Sequence, residues 1–438
     1  MADLLGLWPV PAVLALVPAL FRLYRGRTMA GHAADPALPE RLAGSRNTLV
    51  LVFSSVMAAL IVVWPRHLWW SIPLLLLSFL AAGWPLRRVL FGETWGLGTY
   101  LWFYARMFVA IYGFWLLLIS APWITRGTGA GMWIASAVLA AVLIVWNEQN
   151  GHVIRFLLRA RPVETPDLLG RFTAIVSAAR VPSPRIEYVD MRGGVLVNAI
   201  ALPDTEQPGV LFTSSLLERL DAREVAGVFA HEVAHLEHFN RAFLKKLRWA
   251  GWAMVAAAVT VGPLVRMYLP GAAWLLWGWP IVVIAYTAVL TGSRQKHETE
   301  SDLRAVALTG DAEALIHGLV KLHALAKMPR RLDPNIEATA SHPSLARRVQ
   351  AIREAGRIQP AALDEPLTLT GGTASVTLHA TRLEWREGDE SSYTLAYSSL
   401  SDLRVEADAR GAMRITASDP KGRQWSVPLA AADLRRAQ

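Results

Sequence analysis

The sequence contains no cysteine. Disulfides and thiolate metal ligands are therefore excluded, so any metal must be held by His, Asp or Glu. Charge is also scarce. Only 18% of the 438 residues are Asp, Glu, Lys or Arg, against about a quarter in an ordinary soluble chain. The N-terminal stretch LLGLWPVPAVLALVPALFRLYRGR has no basic residues ahead of its apolar run and no small-residue cleavage signature, so it reads as a retained anchor rather than a removed signal. No RNA- or DNA-binding motif accompanies the net charge of +9. The basic residues lie beside apolar runs, which fits membrane orientation better than nucleic acid.

What the chain has instead is hydrophobicity, at 53% of residues, and 18 Trp. Sixteen of these, from Trp8 to Trp279, lie in or beside apolar runs, as expected where an apolar ring and a polar N–H meet the headgroup layer. A bilayer-crossing helix needs about 20 mostly apolar residues. Candidates are Leu4–Phe21, Thr48–Trp64, Leu68–Trp84, Leu97–Ser120, Ala130–Trp146, Trp249–Leu269 and Ala272–Thr291, about seven spans in all. Arg22, Arg25, Arg27, Arg41 and Arg46 follow the first, Arg87 and Arg88 the third, and Arg155, Arg159 and Arg161 the fifth. The alternate links carry only Arg66, Arg126 and Arg266. The positive-inside rule then places the N-terminus outside, and residues 147–248 and everything after Thr291 in the cytoplasm. Arg106, inside the fourth span, is a snorkelling side chain, the sign of a misplaced span boundary, or a polar wall of an internal cavity.

Between spans five and six the texture changes. IEYV, VLVNAIAL and GVLFT are short β-rich runs separated by Gly, Pro and Asp. A helix is expected to follow, with Asp221 as N-cap and Glu224 completing a capping box. It carries HEVAH, residues 231–235. Positions i and i+4 are neighbours on a helix, so His231 and His235 can grip one ion while Glu232 stands beside a bound water. The motif also arises by chance in proteins without a metal.

A hydrolytic zinc takes three protein ligands and leaves one position open. After the last span, TGSRQKHETESDLRAVALTGD reads as a helix. Glu298 can supply the third ligand, and Asp302, on the same face, can bond the outer nitrogen of a ligating histidine. His297 and Glu300 compete for the ligand role, and the same residues also suit a solvated, charged helix start.

VNAIALP, EVAGVFAHEVAHLEH, HETESDLRAVALTGD and SHPSLARRVQAI occur in that order over about residues 165–355. Together they resemble the membrane zinc metallopeptidases that include the type I CAAX prenyl endopeptidases and the HtpX heat-shock peptidases. The resemblance implies one Zn²⁺ per chain on His231, His235 and Glu298. It implies Glu232 as general base, Asp302 as the accompanying aspartate, and His342 and Arg348 of HPSLARR near the substrate, with His342 a candidate oxyanion donor. It also implies an edge strand at Asn198 and Ala199 that pairs with an extended peptide. Five spans before the zinc helix resemble the CAAX-type topology. SRQKHE is one residue longer than the family's usual spacing before the acidic ligand.

The expected architecture is mostly α. Residues 1–148 form a five-span bundle, 149–248 a first catalytic part, 249–292 a transmembrane hairpin, and 293–360 a second catalytic part of a gluzincin-type α+β domain. Residues 365–438 form a small β-rich, PH-like domain, in which VTLHATRLEW, YTLAYSSLSDLRVEA, MRITAS and RQWSVPL read as strands before a final helix, and DPKG as a turn. The expected function is peptide-bond hydrolysis of peptide or membrane-protein substrates at the cytoplasmic face of a bacterial inner membrane. A membrane scaffold or sensor with a structural metal is the alternative. A transporter is disfavoured by the lack of an internal repeat.

Overall fold

The computed structural model describes residues 9–31, 38–64, 67–204, 207–239, 241–291, 294–329 and 343–356, and beyond these the segments 367–371, 374–378, 382–387, 391–396, 402–407, 413–418 and 423–428. The chain divides into two compact units, one holding nearly all of residues 1–356 and the other residues 357–438.

The apolar runs of the first unit become long helices because an apolar segment can satisfy its backbone groups without water only by bonding within itself. They are α1 (Pro9–Ala30), α2 (Leu38–Val63), α3 (Leu68–Phe91), α4 (Leu97–Ile124) and α5 (Gly129–Glu148), followed later by α10 (Arg241–Tyr268) and α11 (Trp279–Thr291). Six segments among the described residues are long and apolar enough to cross a membrane. The expected first span, Leu4–Phe21, begins outside the described residues, and the remainder forms α1, which packs along α3. The expected last span is not one α-helix. Pro270–Gly278 is a 3₁₀ segment, and α11 starts only at Trp279. Pro280 lacks the N–H that would bond back one turn, and Gly271 and Gly278 weaken the turns before it. Leu118, Leu139, Leu143, Val255, Trp279 and Val283 form a shared core of α4, α5, α10 and α11. The Trp279 indole N–H donates to the Leu118 carbonyl at 2.7 Å inside it. Trp69 and Ile281, at 79% and 70% exposed, point outward, where lipid would cover them.

After α5 the chain turns into α6 (Asn150–Leu158), β1 (Arg161–Pro162), α7 (Pro166–Ala178), β2 (Arg185–Val189), β3 (Ala199–Leu202), β4 (Gly209–Thr213), α8 (Ser214–Arg219) and α9 (Ala222–His238). The sheet order is β1-β2-β4-β3, with β2 parallel to β4 and the other pairs antiparallel. Of VLVNAIAL only the second half is strand. The first half is a loop tied to the α3–α4 connection. Arg87 donates to the Val195 carbonyl at 2.6 Å and to Glu93 at 2.8 Å, and Glu93 accepts the Val195 amide at 3.0 Å. Thr94 N–H and the Trp95 indole donate to Gly193 and Arg192 carbonyls, both at 2.8 Å. Gly193 allows this contact by adopting φ +97°, a region that side chains disfavour. Trp95, Tyr100, Phe103, Leu158, Val189, Met191, Leu202 and Leu211 then form one apolar core between the membrane helices and the sheet.

Beyond α11 come α12 (Arg294–Thr309), α13 (Ala312–Leu325) and α14 (Leu345–Ala355). The second unit has two antiparallel sheets, β5 (Leu367–Gly371), β6 (Ala374–Leu378), β7 (Arg382–Glu387) and β8 (Ser391–Ala396), then β9 (Asp402–Ala407), β10 (Met413–Ser418) and β11 (Gln424–Pro428). Leu369, Val376, Leu383, Trp385, Ile415 and Val427 make their common core. VTLHATRLEW and YTLAYSSLSDLRVEA, each read as one strand, are each two: β6 with β7, and β8 with β9. The expected DPKG turn and final helix lie outside the described residues.

Candidate metal centre

α9 starts as its sequence indicates. The Asp221 carboxylate accepts the Glu224 amide at 2.9 Å, and the Glu224 carboxylate accepts the Asp221 amide at 2.9 Å. Glu224 also pairs with Lys321 of α13 at 2.7 Å. Val225, Val228, Phe229 and Ala230 bury the stripe that precedes the histidines. Phe229 packs against Phe172 on α7, the ring centroids 4.1 Å apart and the planes tilted. Gly227 lets α13 approach closely, since a methyl there would lie 3.2 Å from the Leu315 Cα. The helix is thus gripped on several sides before it reaches HEVAH.

Two turns of α12 lie along it. His231 Nε2 and His235 Nε2 are 3.1 Å apart. Glu298 completes a triangle, with one carboxylate oxygen 3.5 Å from His231 Nε2 and the other 3.5 Å from His235 Nε2. Donor atoms about 2.0–2.1 Å from a tetrahedral zinc stand about 3.3 Å from one another. The triangle therefore has the size that zinc requires, and two imidazoles with one carboxylate are donors that zinc accepts. His231 and Glu298 are each 7% exposed and Glu232 is 8% exposed.

The outer nitrogens of both rings are engaged. Asp302 Oδ1 lies 2.9 Å from His231 Nδ1, and Ser301 Oγ lies 3.2 Å from His235 Nδ1. Asp302 is held in turn by Arg348 of α14, which donates two hydrogen bonds of 2.7 Å to its two oxygens. Burial alone would raise the Asp302 carboxyl, but Arg348 and His231 outweigh it and hold it below the usual carboxylate range. Burial would lower His231, but Asp302 and Glu298 outweigh it and push the ring up to about 9.

Glu298 is therefore the acid that the fold brings to both rings. The competing candidates face elsewhere. His297 Nδ1 is 3.3 Å from Glu300, and both stand with His238 on the exposed side of α9 and α12. Arg348 is turned into the Asp302 pair, and His342 lies outside the described residues. Asn198 leads into β3, which lies at the sheet edge and packs against α9. Its backbone exchanges hydrogen bonds with Thr213, its carbonyl accepting the Thr213 amide at 3.0 Å. Ala199 pairs with Phe212 on the inner side only. Ser301 was not anticipated. Its only sequence signal is its position three residues after Glu298 on the same helix face.

This arrangement can hold a divalent ion between two fixed imidazoles and a carboxylate, with a further acid next to it and an edge strand alongside. Residues 162–356 match the family described as Peptidase family M48. The chain is similar to a protease HtpX homolog of Nostoc punctiforme, at 26% identity over 287 residues, covering 57% of this chain and 93% of that protein. It is likewise similar to a protease HtpX homolog of Acidiphilium cryptum, at 27% identity over 227 residues, covering 48% and 75%. Among solved structures, the crystal structure of S. mikatae Ste24p aligns with a TM-score of 0.48 and 16% identity over 78% of this chain and 98% of that one.

Proposed function

We propose that this chain, whose residues 162–356 match Peptidase family M48, is a multi-pass membrane metallopeptidase, an endopeptidase that cuts extended segments of membrane-associated proteins on the cytoplasmic side. His231, His235 and Glu298 are the ligands of one zinc ion. When bound, zinc lowers the pKa of a coordinated water toward ~7 and polarises the scissile carbonyl. Glu232 takes the proton from the attacking water and later delivers it to the leaving amine. Asp302 and Ser301 fix the two imidazoles in the tautomer that leaves each Nε2 free for the ion. Arg348 acts through Asp302, as a positioning residue. His342 is the candidate oxyanion donor. The free side of β3, entered at Asn198 and Ala199, binds the substrate backbone as an added strand and sets its direction across the metal.

The observation that carries this reading is the triangle of donor atoms, 3.1 to 3.5 Å on a side, whose two histidines share a buried stretch of α9 with Glu232 and whose third member, Glu298, comes from α12. The cytoplasmic assignment rests on the arginine bias of the links, with the N-terminus outside and the membrane a bacterial inner membrane. The test uses one preparation of wild type and of Glu232→Gln, assayed for zinc content and for cleavage of a membrane-protein substrate. Equal zinc in both with cleavage in wild type alone is the expected result. Comparable cleavage by the two proteins rejects the assignment.

A further inference from the structure

Arg106 has no part in the metal centre, and it occupies a costly position in α4, a helix apolar enough to cross a membrane. It lines a cavity of about 660 Å³ where α4 and α6 meet β2. Trp102, Arg155, Phe156, Arg159 and Arg185 line it as well. That volume lies within the range of small-molecule sites. The lining includes four arginines and one carboxylate, Glu187, and Glu187 is already bonded to Arg155 at 2.7 Å. No carboxylate among the described residues pairs with Arg106, Arg159 or Arg185. Arg106 Nε and Nη1 and Arg155 Nη2 are buried without an acceptor. Each donor withdrawn from water without a partner destabilises the fold, so these atoms of Arg106 and Arg155 call for an acceptor, and the exposed Arg159 and Arg185 add positive charge beside them.

The backbone carries a second, independent sign. Arg159 ends α6 in the left-handed region, at φ 55° and ψ 50°. That position is the usual place of glycine, because a Cβ there is strained. The chain accepts that strain and places a guanidinium at the mouth of the cavity. The rim also shows what surrounds it. Trp102 and Phe156 are 60% and 81% exposed, two aromatic rings beside a basic cleft, the pairing that suits the level of lipid headgroups.

We propose that this cavity is a binding site for the phosphate-bearing headgroup of an anionic phospholipid, with Arg106, Arg159 and Arg185 as its counter-charges. Arg106 then sits at the base of the site, and the two exposed arginines close on the phosphate from the rim. Trp102 and Phe156 lie against the acyl chains. The site has a consequence for the peptidase domain. β2 carries Arg185 and Glu187, and it pairs with β4, which carries the edge strand β3. A lipid bound here holds the sheet against the membrane surface at β2, two strands from its substrate edge.

The test uses the purified full-length chain in detergent, with bound lipid counted by native mass spectrometry. Phosphatidylglycerol, phosphatidylcholine and inorganic phosphate are titrated separately. The variants are Arg159→Gly, Arg159→Gly with Arg185→Ala, and Lys245→Ala with Lys246→Ala, the last a control for diffuse basic attraction. Each arginine near a lipid surface contributes about 1 kcal/mol, a factor of about five in affinity, so the double arginine variant should bind phosphatidylglycerol about thirtyfold more weakly. The lysine control should bind like wild type. Arg159→Gly should melt no lower than wild type while losing about fivefold in lipid affinity, because glycine relieves the backbone strain; a purely structural arginine would not separate the two readouts. Equal binding of phosphatidylcholine, inorganic phosphate binding as tightly as the lipid, unchanged retention in the double variant, or equal loss in the lysine control would each overturn the proposal.

Discussion

Replacing Arg348 with methionine isolates the pair that stands behind the metal ligands. Its guanidinium donates two 2.7 Å hydrogen bonds to Asp302, and the side chains are 7% and 0% exposed. Without Arg348 the Asp302 carboxylate stays buried with only His231 beside it. Removing one partner of a buried ion pair costs about 3–5 kcal/mol, mostly as the penalty of the charge left behind. For a domain of roughly 200 residues each kcal/mol is worth about 2–4 °C, so melting should fall by about 6–20 °C. The penalty belongs to the orphaned charge, so removing that charge should return part of it. Arg348→Met combined with Asp302→Asn should lose about 1–3 kcal/mol less than the sum of the two single changes. Asp302 is held below its ordinary range in the fold. The stability it supplies is therefore full above its unfolded value of about 4 and is lost as pH falls through the lower folded value. The assay is circular dichroism melting in detergent at pH 7, with limited proteolysis across residues 345–355 to detect local release of α14. A shift below about 2 °C for Arg348→Met, or strict additivity in the double variant, would show that the pair is not a buried charge pair in solution.

Three further outcomes follow from the same geometry. Ser301→Ala removes the partner of His235 Nδ1 and should weaken zinc binding about tenfold, the lower end of the usual range for such partners, measured by chelator competition. His231 is pushed up to about 9, and zinc needs the neutral ring, so apparent zinc affinity should climb about tenfold per pH unit from 7 to about 9 and then level off. The same shift stabilises the metal-free fold, fully below about pH 6.5 and not at all once pH has risen past about 9; a flat affinity profile would contradict the proximity of Asp302 and Glu298 to that ring. Asp221→Ala removes the side-chain half of the capping box, the acceptor of the Glu224 amide, and should cost about 1 kcal/mol, or about 2–4 °C of melting temperature, with the metal still bound.

What could be seen in the amino-acid string divides by the range of the signal. The spans were legible because an apolar run of 20 residues has few alternatives to a helix. α9 was legible down to its first residue, since the capping box and the i, i+4 histidines are local. The 3₁₀ start of the last crossing was not, because hydropathy counts apolar residues and is blind to the donor missing at Pro280. The joined strands of the second unit were misread for a similar reason. HAT and SSLS contain no Gly or Pro to mark where β6 gives way to β7 or β8 to β9.

The site itself shows the limit more sharply. Ser301 is separated from His235 by 66 positions and Arg348 from Asp302 by 46. No local pattern can report such contacts. Glu298 and Asp302 stood out because two acids four apart on a helix share a face, whereas a serine between them has no charge to draw attention. Its role depends on which ring nitrogen α9 presents, and that is decided by packing against Phe172 and Leu315. Arg348 was expected near the substrate because HPSLARR resembles a motif that lies there in the related peptidases. The fold turns it inward because Asp302, fully buried, has a charge that the interior cannot leave alone. The same reasoning separates the two arginines that sequence singled out. Arg348 is buried with a carboxylate and so is accounted for by the fold. Arg106 is withdrawn beside other arginines with no carboxylate partner among the described residues, which is why the proposed lipid phosphate is assigned to it as a counter-charge.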